Sequence, residues 1–218
     1  MNVKHHPSDE HLLDYASGAM LEAWSLAIAT HLTFCPVCRH RVAEMEELGG
    51  TLLDDETPSD ACDISFDGLM QAIDARDADI SPDPAVDESA GTLLPAPLRR
   101  YFGASAEHIK WRRIGPGTRQ SIIPLSEGGA TARLLCIAPG LPVPEHTHGG
   151  LEMTLVLSGA FEDHIGRFGP GDLEEADEEV THQPVAAAGE SCICLAVTDA
   201  PLRFKSLAAR VVQPFVHI

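Results

Sequence analysis

The period of the apolar pattern changes near residue 99, and no single secondary-structure class accommodates both sides of that change. Before it, apolar residues recur at helical spacing. Leu21, Trp24, Ile28 and Leu32 form one stripe, and Phe66, Leu69, Met70 and Ile73 repeat at i, i+3, i+4 and i+7. After it, short apolar runs at 121–125, 132–137, 153–157 and 192–197 are separated by glycine and proline turns at 139–140, 158–159 and 169–172. Several short strands with regular turns predict an all-β sandwich or barrel. Two domains are therefore expected, an all-α N-terminal one and an all-β C-terminal one.

The helix ends are also marked. Ser8 is placed to cap a first helix, with Asp9 and Glu10 in the first turn, where the helix dipole favours acids, and Gly18 to stop it. A second helix is predicted over 20–34. Pro36 ends it and suits the first position of a third, expected to reach Leu48 before Gly49-Gly50. Residues 51–63 read as acidic loop. The stripe on the 66–73 helix is core by default, but its place between a loop and a linker also suits packing on a partner. Residues 77–97 carry too much proline and acid to build a core. The predicted boundaries are a helical domain over 1–80, an acidic Pro-rich linker over 81–98 that isolates two cores, and a β domain over 99–218.

The formal net charge is −18, and residues 1–98 hold 19 acidic against 4 basic side chains. Such a surface repels phosphates, which disfavours direct nucleic-acid binding and favours a basic protein partner. No stretch reaches the roughly 20 apolar residues of a membrane span. The opening Met-Asn-Val-Lys-His-His-Pro is too short and polar for a signal peptide. A cytoplasmic location with no membrane partner is expected. Cysteines spaced Cys35-x2-Cys38 beside a histidine then read as metal ligands rather than a disulfide.

Two clusters have metal-ligand spacing. In the first, His31 and Cys35 lie four apart and share a helix face, with Cys38 in the first turn beyond the Cys35-Pro36 corner. Two thiolates and an imidazole suit tetrahedral Zn2+, and a closed site needs a fourth ligand. His5 and His6 are nearest in sequence, with His11 and His40 as alternatives. In the second, His146 and His148 lie two apart, so on a strand they point the same way. Glu152 is a further even step, and His182 would come from a later strand. Three imidazoles and a carboxylate can hold Zn2+ or another divalent transition metal. Cys192 and Cys194 read as small buried apolar groups. The acidic run 174–179 reads as a solvated face or, next to His182, as a group that attracts a cation, and His164, in a hairpin after Glu162-Asp163, reads as surface.

Gly140-x5-His146-x-His148-x3-Glu152-x6-Gly159 has the spacing of the first cupin motif, so the β domain resembles a cupin barrel. His6, His31, Cys35 and Cys38 in a small helical domain resemble the zinc-binding anti-sigma domain. The segments Lys4-His5-His6 and Ala29-Thr30-His31-Leu32, with Pro201-Leu202-Arg203-Phe204 near the C-terminus, are similar to the ChrR-type anti-sigma factors of bacteria. The resemblance implies His6 as the fourth ligand of the first site. It implies a regulator, not an enzyme, that sequesters an extracytoplasmic-function sigma factor, with a cupin needed for release under oxidative stress such as singlet oxygen. The rival is a cupin metalloenzyme, a dioxygenase or isomerase, with a zinc docking module. Against it, ten residues separate Gly171 from His182, and Ala186 stands where the enzyme motif often has asparagine.

Overall fold

The computed structural model describes residues 3–56, 65–77, 94–103, 105–206 and 213. Five α-helices come first: α1 (Asp9–Ala16), α2 (Glu22–Phe34), α3 (Pro36–Asp54), α4 (Phe66–Asp77) and α5 (Ala96–Phe102). Ser8 caps α1 as predicted, its hydroxyl accepting from the His11 N–H. Pro36 opens α3, and the Cys35 sulfur caps it by accepting from the Cys38 N–H. The expected stop at Gly49-Gly50 is overridden. Each glycine costs about 1 kcal/mol in a helix interior relative to alanine, which slows a helix without ending it when good helix formers flank it. The loop expected from 51 accordingly begins later, and residues 57–63 lie outside those described.

The β part contains β1 (Arg112–Gly115), β2 (Thr118–Ile122), β3 (Thr131–Ile137), β4 (His146–Thr147), β5 (Glu152–Ser158) and β6 (Phe161–Glu162). It continues with β7 (Arg167–Phe168), β8 (Leu173–Ala176), β9 (Thr181–His182), β10 (Val185–Ala186), β11 (Cys192–Thr198) and β12 (Arg203–Phe204). One antiparallel sheet has the order β1-β2-β3-β11-β5-β8, and two smaller ones run β10-β6-β7 and β12-β4-β9. The β12-β4-β9 sheet carries His146 and His182 as direct cross-strand partners.

The central strands β3, β5 and β11 of the large sheet are buried on both faces. Leu134, Met153, Leu155, Leu195 and Val197 join Leu12, Leu26, Ile28 and Val42 of the helices in one core. The alternate residues Val156, Cys192 and Cys194 join Phe161, Phe168 and Ala186 in a second core inside the β part. Because side chains alternate across a strand, a sheet covered on both sides needs continuous apolar runs, which is the pattern the sequence shows. The expectation that a linker isolates two cores is therefore corrected: α2 packs directly on β5 and β11. The linker also ends earlier than residue 98. Leu94 and Leu98 are buried, and α5 packs on α2. Residues 78–93 lie outside those described.

Candidate metal centres

The first centre forms where α2 meets α3. His6, His31, Cys35 and Cys38 each offer one donor atom, and these atoms all lie within 4.8 Å of one another. His6 Nδ1 is 3.4 Å from both the Cys35 and the Cys38 sulfur. A tetrahedral cation with bonds of about 2.3 Å to sulfur and 2.0–2.1 Å to nitrogen spaces such donors about 3.5 Å apart. His31, Cys35 and Cys38 are buried, whereas His6 is exposed, so the centre faces solvent on the His6 side.

The protonation pattern fits a cation. His31 Nδ1 donates to the Gly171 carbonyl at 2.8 Å, which leaves the Nε2 lone pair facing the cluster. That Nε2 is buried without a hydrogen-bond partner, a costly state that a cation would relieve. Burial holds His31 down to about 4, so it is neutral and able to ligate. Burial, then the neighbouring Cys35 thiol, pushes Cys38 up to about 12. Thiolates there need a positive charge among them.

Of the other candidates for fourth ligand, none joins the cluster. His5 packs its ring on Phe168 at 4.2 Å between centroids. His11 pairs with Glu175 at 2.8 Å, and His40 is exposed beside Glu44.

The second centre lies inside the β part. His146, His148 and His182 are all buried and converge within 4.8 Å. Each ring is oriented by its Nδ1–H: His146 donates to the Pro144 carbonyl at 2.8 Å and His148 to the Asp177 carbonyl at 3.1 Å. His182 donates to Asp163 at 3.2 Å and to Glu174 at 3.1 Å. Three Nε2 lone pairs therefore converge, a carboxylate–histidine arrangement typical of metal ligands. His148 Nε2 is buried without a partner. His146 Nε2 and His182 Nε2 face each other at 3.1 Å. Two acceptors that close need a cation or a proton between them. The donor set fits a divalent metal.

Glu152 stands beside this triad and not within its mutual 4.8 Å group. Its Oε2 is 3.6 Å from His148 Nε2, and its Oε1 accepts from the Thr154 hydroxyl at 2.8 Å. The β5 alternation turns Glu152 and Thr154 toward the cavity by the triad, and Met153 toward the helices.

Asp163 and Glu174 were both missed as functional groups. Glu174 is buried, not part of a solvated face, because in β8 it alternates inward while Glu175 points to α1. Burial raises the Glu174 carboxyl to about 7. Burial also opposes ionisation of Asp163, but hydrogen bonds from Glu174 and the Ile165 and Gly166 N–H groups hold it below the usual range. His182 is raised: burial lowers it, and the two carboxylates outweigh that. Asp163 and Glu174 lie 19 and 8 positions before His182, which left only one usable sign, the two-residue strand period through 173–176.

Residues 100–201 match the ChrR cupin-like domain family. The anti-sigma-E factor ChrR of Cereibacter sphaeroides is 46% identical over 218 residues, covering all of both chains. The crystal structure of Rhodobacter sphaeroides SigE in complex with the anti-sigma ChrR aligns with a TM-score of 0.78 at 43% identity, covering 91% of this chain and 100% of that one. Among the described residues no helix is long and apolar enough to cross a membrane. End to end at this identity, the chain belongs to the ChrR family of anti-sigma factors.

Proposed function

We propose that the chain binds and sequesters an extracytoplasmic-function sigma factor in the cytoplasm and releases it under oxidative stress of the singlet-oxygen type. Zn2+ occupies the first centre through His6, His31, Cys35 and Cys38. Zn2+ or another divalent transition metal occupies the second through His146, His148 and His182, with Glu152 as a further ligand. In the first centre the metal supplies a cross-link between the N-terminal segment and the α2–α3 corner. The helical part through α4 is the sigma-binding part, and the β part is the responsive part.

The observation that carries this reading is the apolar stripe of α4. Phe66, Leu69, Met70 and Ile73 lie one or two turns apart and are 40–74% exposed. Leu48 and Leu52 on α3 are exposed as well. Apolar stripes at helical spacing left facing water mark a protein–protein surface. The related ChrR is seen with its sigma factor bound.

The enzyme reading is less well supported. The enclosed space beside the histidine triad is about 60 Å³. Small-molecule pockets usually span about 300–1,000 Å³, several times that volume.

The test is co-purification of the full chain with the extracytoplasmic-function sigma factors of its own genome. The double variant Leu69→Asp, Ile73→Asp should lose the partner while keeping its metal content and unfolding midpoint. Undiminished binding by that variant would overturn the assignment of this surface.

A further inference from the structure

The first metal centre is not built by the helices alone. Its two cysteines are set by the α2–α3 corner, but both histidines are held by the β part. His31 donates to the Gly171 carbonyl. The backbone just before His6 is clamped to the same turn. Asp172 Oδ1 accepts from the Lys4 and His5 N–H groups at 2.6 and 3.0 Å, and the Leu173 N–H donates to the His5 carbonyl at 3.1 Å. Asp172 is 5% exposed, and its Oδ2 accepts from the Gly169 N–H at 2.8 Å, which fixes the turn itself.

The turn also meets α2 at van der Waals contact. Gly171 has a φ of +90°, and a Cβ there would fall 2.7 Å from Phe34 Cβ and 2.8 Å from Val3 Cγ2. Phe34 immediately precedes Cys35. One residue beyond Leu173, Glu174 orients His182 of the second centre. The four residues 171–174 thus touch a histidine ligand, or the residue next to one, at both centres.

We propose that Gly171–Glu174 is a positioning element shared by the two metal centres, with Asp172 as its clamp, so that metal at the His146/His148/His182 triad raises the metal affinity of the His6/His31/Cys35/Cys38 cluster. This rests on both clusters being metal sites. Filling the triad fixes His182, hence Glu174 and the start of β8, hence the turn that presents His31 and His6. The effect is a coupling free energy between two sites, and it must be reciprocal. A loss at the second centre would then loosen the first, which lies in the part that holds the partner.

Co2+ reads the two centres separately in the full-length apo chain. Only the first centre has thiolate ligands, so only it gives the sulfur-to-cobalt charge-transfer band in the near ultraviolet. Four proteins are titrated with Co2+: the wild type, His148→Ala, Asp172→Asn and the double variant. An amide at 172 cannot accept from Gly169 and from Lys4 and His5 at once, yet it keeps the side chain's shape. His148→Ala should weaken the thiolate-band affinity about fivefold or more, the lower end of known site-to-site couplings. Asp172→Asn should do the same, and the double variant should be no weaker than Asp172→Asn alone.

A second measurement does not depend on position 172. Cys35→Ser should weaken Co2+ affinity at the imidazole centre, read by its d–d absorption, by the same factor that His148→Ala weakens affinity at the thiolate centre. Equal thiolate-band affinity in wild type and His148→Ala overturns the coupling. Additive losses in the double variant overturn the route through Asp172. A wild type that gives no thiolate band at all would overturn the metal reading itself, a result distinct from either.

Discussion

His31 Nδ1 and the Gly171 carbonyl lie 2.8 Å apart, joining the last turn of α2 to the turn before β8 across 140 residues of chain. The bond chooses the tautomer of a buried imidazole and aims its other nitrogen at two cysteines. It forms because Gly171 lacks a side chain and adopts a left-handed φ of +90°. Gly171→Ala should therefore act at a distance. Backbone strain of about 1–3 kcal/mol adds to the clash with Phe34. A lower unfolding midpoint with faster alkylation of Cys35 and Cys38 in the metal-loaded protein is the expected outcome. Slower or unchanged alkylation would show that the turn does not support the centre.

The two adjacent histidines make a sharp contrast. His6→Ala, like Cys35→Ser or Cys38→Ser, should lower bound metal by about one ion per chain, since a closed thiolate–imidazole site contributes on the order of 10 kcal/mol to a small domain. His5→Ala should keep the metal. It removes only a ring packed on Phe168, and the cost should stay near 1 kcal/mol. Metal content by mass spectrometry under native conditions separates the two. Metal loss in His5→Ala with retention in His6→Ala would reverse the assignment.

Glu174→Gln should weaken the second centre without emptying the first of its ligands. The glutamine keeps an acceptor for His182 Nδ1–H but not the charge that raises imidazole basicity. Loss of such an outer partner typically costs 10–100-fold in metal affinity. Competition with a chelator of known affinity measures it. An affinity within twofold of the wild type would mean that Asp163 alone orients His182.

These residues show where the sequence was readable. Spacing grouped His31, Cys35 and Cys38 in the first cluster and His146 and His148 in the second, because i, i+4 on a helix and i, i+2 on a strand fix which side chains face together, whereas His6 was implied by the family resemblance and His182 by the expectation of a later strand. The start of α1 and the end of α2 followed from Ser8 and Pro36 for the same local reason. What spacing could not show was tertiary. Glu174 and Glu175 look alike in an acidic run, but β8 turns one toward His182 and the other toward His11. The contacts of Asp172 with Lys4 and His5 span more than 160 residues and leave no local trace. The shared core was visible in principle. Runs such as 192–197 are apolar on both strand faces, a pattern that calls for cover on each side.

His11 and Glu175 form a tie between α1 and β8 whose strength should follow pH. They are 2.8 Å apart and each about 22% exposed. The Glu175 hydrogen bond raises His11 above 6.5, chiefly against the opposing effect of burial. Its contribution is full below the unfolded value of 6.5 and is lost as pH rises through the folded value. Burial works against ionisation of Glu175, but the bonds from His11 and the Ser8 N–H hold it below 4.5. That contribution is present above 4.5 and is lost as pH falls through the lowered folded value. The pair is therefore strongest between about pH 4.5 and 6.5, where a charge-assisted bond stabilises by about 1–2 kcal/mol. His11→Gln should lower the unfolding midpoint most in that window, and the difference from wild type should shrink as pH rises past the folded value of His11. Chemical denaturation at pH 5.5 and at pH 9 measures both ends. A midpoint difference that is equal at the two pH values would show that the bond contributes through its neutral geometry alone.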